Sequence, residues 1–434
     1  MNKKILLILI LSFIIRIYFS FGAYHPDLGN HLDWGKKFWE YGPKRFYGAT
    51  FWGVSWPNQP PGTMYLWAIM SKINFWLQDT FWKINLAVQF FPSNIIPFVQ
   101  KNLPPALVKL PSILTDLGIG YLIYLFIGNL KFKKKKIWGK PLLAASLFLF
   151  NPVVIYNSSI WGQTDSLINF LFLLGVYLLL IKKNVFWGVF WILFSFYFKV
   201  SLLIFIPLML VVLWKKFRTQ PKAILSLISV FLLFVILSLP FSYKSPIKWL
   251  IDLYRTRILG GQGNMLTANA FNFWGLIFGI DFSRTDEGWF IGLSYRNWGY
   301  LFFAFFYLTI LIKLIKTKFS INSIMASFVL ISFASFLFMT NMHERYLYPA
   351  FPYMAVLVAL SGLPFLFYNL VSLLHWLNLY HLWYYPDWPL LRSVIESNDL
   401  IFTRIFSALL LLLFLIFFLN FLRNDSSQKL TQKV

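Results

Sequence analysis

Asp27 and Asp33, with His25 and His31 beside them, lie in the stretch Tyr24-His25-Pro26-Asp27-Leu28-Gly29-Asn30-His31-Leu32-Asp33-Trp34, directly after an almost uncharged apolar run. The stretch holds two of the five histidines and two of the fifteen acidic residues in a chain that is 59% hydrophobic and 12% charged. Ionisable groups at the mouth of a membrane span are costly and point to a function. A carboxylate at the lip of an apolar cavity can take a proton from a hydroxyl as a general base. Asp27 also follows Pro26 and opens an amphipathic stretch, which suits a helix N-cap. These residues alone leave base and cap open. In a helix, Asp27 and Asp33 face different ways and take different roles.

Four further groups carry polar chemistry. Trp161-Gly162-Gln163-Thr164-Asp165-Ser166 joins two apolar runs. There Asp165 suits a cap of the next helix, while Gln163 and Asp165 can hydrogen-bond sugar hydroxyls against the face of Trp161. Asn341-Met342-His343-Glu344-Arg345-Tyr346 is the most polar string between two apolar runs. His343 and Arg345 suit a phosphate, and a Glu344–Arg345 interfacial anchor is the plainer alternative. Lys199, in Phe196-Tyr197-Phe198-Lys199, suits either snorkelling or a helix break beside an anion. Arg257 suits a phosphate across the cavity or an anionic lipid headgroup. Asp116 lies within an apolar run and needs a partner there, for which Lys109 is a candidate. Pro57-Asn58-Gln59-Pro60-Pro61-Gly62 reads as a rigid turn before a helix. Gly260-Gly261-Gln262-Gly263 is not a nucleotide loop, since no strand precedes it and no Gly-Lys-Ser/Thr follows. No metal-ligand set is diagnostic. His25, Asp27 and His31 leave a divalent cation open, and no cofactor is expected.

Membrane helices must position these residues. Apolar runs of about 20 residues recur, the length that crosses a bilayer, and they are continuous rather than alternating, unlike barrel strands. The chain has no cysteine, which excludes disulfides and thiolate chemistry. The net charge of +24 comes largely from lysine clusters in short loops (131–136, Lys182-Lys183, Lys215-Lys216-Phe217-Arg218, Lys313 to Lys318). That is the positive-inside pattern rather than a nucleic-acid surface. The expected fold is all-α, a single polytopic domain over residues 1–434 with about 12 transmembrane helices (about 11–13). A first span over Ile5 to Ala23 leads from a cytoplasmic amino terminus to an outer loop, 24–104, with interfacial helices. Spans follow near Leu107 to Gly128, Pro141 to Asn157, Asp165 to Ile181, Val185 to Phe198, Ser201 to Trp214 and Ala223 to Pro240. The Val185 and Ser201 runs are short enough to form a hairpin that does not fully cross. A second outer loop occupies 242–295. Later spans cover Gly299 to Ile315, Ile321 to Met339, a run over Leu347 to Tyr380 broken at Gly362-Leu363-Pro364, and Leu400 to Leu422. Tyr384 to Trp388 then form an outer aromatic belt. This topology gathers acids, histidines and arginines at the outer face.

The order of these motifs resembles the GT-C glycosyltransferases. Asp27 and Trp34, Pro60-Pro61, Asn151-Pro152, Trp161 to Ser166, Phe198-Lys199, Asn269 to Trp274 and His343 to Tyr346 are similar to motifs of bacterial relatives of the second mannosyltransferase of GPI-anchor assembly. More distantly, they are similar to the ER glucosyltransferases acting on dolichol-linked oligosaccharide. The resemblance covers about residues 1–380. It implies a polyprenyl-phosphate donor carrying a mannose-like sugar, bound from the bilayer, and transfer on the non-cytoplasmic face. Asp27 is then the base, with His343, Arg345, Lys199 and Arg257 at the donor phosphate. Asp33, His31, Trp161, Gln163 and Asp165 contact substrate. The acceptor is a hydroxyl on a lipid-linked, glycan or protein partner, one displacement inverts the anomeric centre, and the setting is a bacterial inner membrane. Gln59 stands before the Pro-Pro pair where relatives often carry tyrosine. The rival reading is a lipid or glycolipid transporter. It calls for polar groups through the membrane depth or inverted repeats, whereas here the polar groups gather at one face.

Overall fold

The structure is a computed structural model that describes residues 2–53, 55–130, 140–217, 221–260, 263–360 and 362–423. The lysine run 131–136, Arg218, Gly261, Gln262 and the polar tail beyond Arg423 lie outside the described residues. The fold is helical. α1 (Lys3–Ser20) leads to α2 (Pro26–Tyr41), the short α3 (Pro43–Phe46), and the long pair α4 (Pro61–Ala87) and α5 (Ile95–Gly128). Next come α6 (Lys140–Leu149), α7 (Pro152–Ile155), a π-helical turn (Tyr156–Trp161) and α8 (Asp165–Leu180). α9 (Val185–Phe194) and α10 (Ile206–Phe217) flank two 3-10 turns, Ser195–Tyr197 and Ser201–Phe205. α11 (Pro221–Ser238), α12 (Pro246–Leu253), a second π turn (Tyr254–Leu259) and α13 (Phe273–Phe278) follow. A small hairpin then pairs β1 (Trp289–Phe290) antiparallel with β2 (Leu293–Ser294), in the register Trp289 to Ser294. The chain ends with α14 (Tyr295–Lys316), α15 (Ile321–Phe338), α16 (Ala350–Ala359), α17 (Phe365–Tyr380), α18 (Pro389–Ser397) and α19 (Asp399–Arg423).

α15 is the spine of the bundle. All its residues except Asn322 are buried, as befits a helix that is apolar all round. Its small serines let α14, α16 and α19 approach closely, and Ser327 and Ser332 donate back to their own helix. Around this core the outward faces of α11, α14 and α19 stay apolar, with Leu225, Phe231, Phe305, Leu308, Ile405 and Leu412 all about half exposed or more. Such a belt is stable against lipid rather than water. The chain is a polytopic integral membrane protein. Among the described residues five helices are long and apolar enough to cross a membrane: α5, α11, α14, α15 and α19. A sixth forms if the α6–α7 pair, bent by 46°, counts as one span. The expected count was about twelve. The difference lies in short apolar helices such as α8, α9 and α16.

Two expected breaks are present. The run over Leu347 to Tyr380 divides into α16 and α17 around Gly362, and the Val185 and Ser201 runs end in 3-10 turns on either side of Lys199. One expected boundary moves. α5 begins at Ile95 within the first outer loop and runs straight through Pro104, Pro105 and Pro111. Proline removes a backbone donor, but neighbouring helices can tolerate that loss in a membrane bundle. Lys109, midway along α5, is not the partner of Asp116. Its Nζ donates to the carbonyls of Ser20 (2.9 Å) and Ala23 (2.7 Å), closing the end of α1. Asp116 instead meets Arg16 at 3.1 Å, both side chains fully buried. Asp116 also accepts from Ser166 Oγ (2.6 Å) and Tyr348 Oη (2.8 Å), while Arg16 reaches Ser12 and the Leu149 carbonyl. A paired, hydrogen-bonded ion couple is the form in which a buried charge is tolerated.

Chain direction separates the charges. α1 starts at Lys3-Lys4, α8 ends before Lys182-Lys183, α10 ends at Lys215-Lys216 and α14 ends at Lys313 to Lys316. The opposite ends of α1, α8 and α10, and the Phe338 end of α15, lead to His25 to Asp33, Asp165, Lys199 and His343 to Arg345. Lysine clusters and acid–histidine clusters therefore lie at opposite ends of the bundle.

Candidate active site

At the first turn of α2 the cap is not Asp27. The N-cap is His25, whose Nδ1 accepts the Asp27 backbone N–H at 3.1 Å. The Asp27 carboxylate is thus not used for capping. Its Oδ2 accepts from Gln163 Nε2 (2.6 Å) and Trp161 Nε1 (3.1 Å), with Arg345 Nη1 at 3.8 Å. All these contacts fall on Oδ2, and Oδ1 has no hydrogen-bond partner among the described residues. Trp161 and Gln163, expected to meet a sugar, here hold the carboxylate. Gly162 makes this possible. Its φ of +86° turns the chain after the π-helical turn, and a Cβ there would lie 2.5 Å from Leu28 Cδ2. Ser112 Oγ fixes the same turn by donating to the Gln163 carbonyl at 2.5 Å.

Two ion pairs face this carboxylate. Asp165 lies in the first turn of α8, but the N-cap is Thr164, without a side-chain cap bond. In place of capping, Asp165 Oδ1 accepts from Lys199 Nζ at 2.7 Å, and both side chains are largely buried. Its Oδ2 is buried without a partner. Lys199 is exposed to this site because the helical ladder breaks between the two 3-10 turns. Thr63 Oγ1 donates to the Phe198 carbonyl at 2.5 Å. Gly62 lets α4 approach, since a Cβ there would meet the Tyr197 carbonyl at 2.6 Å. The Pro60-Pro61-Gly62 turn therefore supports the Lys199 break. In the second pair Arg345 Nη1 donates to Glu344 Oε1 at 2.9 Å, and Arg345 Nε is buried without a partner.

The histidines are packing partners of this polar centre. His25 stacks near Trp161 (4.1 Å between ring centres) and Trp383 (4.6 Å). His31 stacks on Trp67 at 4.4 Å, its Nδ1 buried and unpartnered. His343 packs on Tyr346, and its backbone forms isolated bridges with Ala268 and Asn269, between the second π turn and α13. Burial pushes His25 down to about 4 and both His31 and His343 to about 3, against the pull of Asp27. All three are neutral at pH 7. Burial is the largest single influence on Asp27 and pushes its carboxyl up, but Arg345, the two neighbouring imidazoles and the Trp161 N–H together outweigh it, and the carboxyl stays well below its ordinary range. Glu344 goes the other way, pushed up to about 7 by burial in spite of Arg345.

The structure thus gathers Asp27, His31, Trp161, Gln163, Asp165, Lys199, His343 and Arg345. It leaves two expected residues outside. Asp33 Oδ2 accepts the Gly53 N–H at 2.8 Å and ties the following loop to α2, on another face from Asp27. Arg257 lies in the exposed second π turn, its guanidinium 4.2 Å from the Trp56 ring centre. Three participants were missed as such: His25 as cap, Glu344 as a buried acid, and Trp383. A belt position was expected just beyond Trp383, yet it packs on His25 and Trp161. Among the described residues no group of three or more His, Asp or Glu is placed to hold a metal ion.

No family model matches the chain, and no curated protein is significantly similar to it. Among solved structures, the crystal structure of ArnT from Cupriavidus metallidurans bound to undecaprenyl phosphate aligns with a TM-score of 0.46 and 12% identity. The alignment covers 97% of this chain and 77% of that one.

Proposed function

We propose that the chain is an inverting glycosyltransferase that takes a sugar from a polyprenyl-phosphate donor and passes it to an acceptor hydroxyl. The observation that carries this is the Asp27 carboxylate, freed from capping by His25 and held by one oxygen opposite the buried cations Arg345 and Lys199. A base beside buried cations suits a displacement in which a hydroxyl loses a proton to the one and a phosphate leaves toward the others. The free Oδ1 accepts the proton of the acceptor hydroxyl while the hydroxyl oxygen attacks the anomeric carbon. The C–O bond to the phosphate breaks, and its electron pair stays on the phosphate oxygen. The unpartnered Arg345 Nε–H donates to that phosphate, with Lys199 and His343 beside it. As Arg345 turns to the phosphate it releases Asp27, whose basicity rises when it is needed. One displacement inverts the anomeric configuration, and no cofactor enters the scheme.

The donor reaches the site from the bilayer, on the face opposite the lysine clusters, which the positive-inside rule makes the outer face of a bacterial inner membrane. The sugar is mannose-like, and the acceptor is a lipid-linked, glycan or protein hydroxyl. Purified protein should convert lipid-phosphate mannose in a donor screen that also contains glucose, galactose and arabinose, with the product read by mass. Asp27→Asn should lower turnover by about 10²–10⁴-fold with the melting temperature retained. Wild-type turnover by Asp27→Asn sinks the assigned base. Lipid flux across proteoliposomes with no transfer product sinks the enzyme in favour of a transporter.

A further inference from the structure

The site proposed above contains three carboxyls and two cations, Lys199 and Arg345, so no positive charge is spare. Lys199 is committed to Asp165 at 2.7 Å. Arg345 Nη1 is shared between Glu344 at 2.9 Å and Asp27 at 3.8 Å. Lys199, Arg345, Asp165 and Glu344 have little solvent contact. A sugar-phosphate diester adds one more negative charge. An anion entering a buried site whose cations are already matched is expelled unless some negative charge is removed.

The three carboxyls are not equally able to give up their charge. Asp165 keeps Lys199. Asp27 keeps the N–H donors of Trp161 and Gln163 even when Arg345 turns away. Glu344 has Arg345 as its described side-chain partner. When that guanidinium turns toward a phosphate, Glu344 is the buried carboxylate left bare. On the reading that this is the donor site, we infer that donor binding is coupled to uptake of one proton from solvent by Glu344. The neutral carboxylic acid then has an O–H to donate toward the phosphate. No bond to carbon or phosphorus changes in this step. It is a protonation linked to binding.

The groups around the Glu344–Arg345 pair support the assignment. Asp27 and Tyr346 act on Glu344 itself, while His343, His25 and His31 of α2, Asp165 of α8 and Lys199 of the α9–α10 break act on its partner Arg345. The imidazoles are held far below neutrality by burial, whereas Glu344 already sits at about 7. An arriving anion raises it further.

The test uses the full chain in lipid nanodiscs and farnesyl methyl phosphate, a phosphodiester that keeps one negative charge across the range. Its use makes the result independent of sugar identity. Calorimetric titration in two buffers of different ionisation enthalpy counts the protons. The wild type should take up close to one proton per ligand at pH 8 and close to none at pH 5.5. Affinity should be level below about pH 6 and fall about tenfold per unit above pH 7. Glu344→Gln should bind without proton uptake and without that pH dependence, whereas His343→Gln should keep both. Binding by the wild type without proton uptake, or uptake that survives in Glu344→Gln, overturns the coupling while leaving the donor site standing. Should the Gln variant fail to fold, the wild-type proton count alone decides. A probe that binds at no pH overturns the donor site, and the coupling with it.

Discussion

At the scale of single residues, the site depends on how Asp27 is held. Two neutral N–H donors and one guanidinium converge on a single oxygen. Gln163 supplies the shortest of these contacts at 2.6 Å. A hydrogen bond to a charged group contributes about 1.5–3 kcal/mol, so Gln163→Ala should lower kcat about ten- to a hundredfold. The KM for donor should change much less, because Gln163 touches the base and not the phosphate. Steady-state kinetics with donor varied separates the two, and a pure KM effect contradicts the positioning role. The ionisable members of the site were legible in the sequence, since Asp27, Lys199, His343 and Arg345 are conspicuous in an apolar chain. Their partnerships were not. Histidine is not a common N-cap, so nothing in His25-Pro26-Asp27 announced that the ring would cap α2 and release the carboxylate. Gln163 and Trp161 have side chains that suit a sugar as well as an aspartate, and only the turn at Gly162 decides between them.

At the scale of elements, the site is built where helices stop. The π-helical turn before Gly162, the paired 3-10 turns around Lys199 and the loop from α15 to α16 each interrupt the helical ladder and place polar residues at the site. Gly162→Ala tests this. A left-handed φ costs a non-glycine residue about 1–2 kcal/mol, and the added methyl would press on buried Leu28. The variant should melt earlier and lose turnover together, because α2 and the Gln163 turn shift apart. A variant with unchanged melting and kcat would show that the turn is not needed. The breaks at Gly362 and beside Lys199 were readable from punctuation residues and short apolar runs. The passage of α5 through three prolines was not. Whether proline ends a helix depends on its neighbours, and those come from distant parts of the chain.

At the scale of the whole molecule, the segregation of lysine ends from acid–histidine ends predicts how the bundle sits in a membrane. The chain has no cysteine, so single replacements report sidedness cleanly. Ser245→Cys, exposed beside α12 in the second outer loop, should react with a membrane-impermeant maleimide on intact spheroplasts. Lys318→Cys, exposed after α14, should react only after lysis. The reverse pattern inverts the topology and removes the site from the outer face. The same arrangement constrains how the protein is made. Gln163 meets Asp27 across 136 residues, and Arg345 lies farther along still. At roughly 5–20 residues per second, Asp27 leaves the ribosome about 7–30 s before its first side-chain donors exist. For that interval it is a solitary charge next to an emerging apolar helix. The nascent chain must keep this loop in water until the last third is inserted, so the site is completed late in biogenesis.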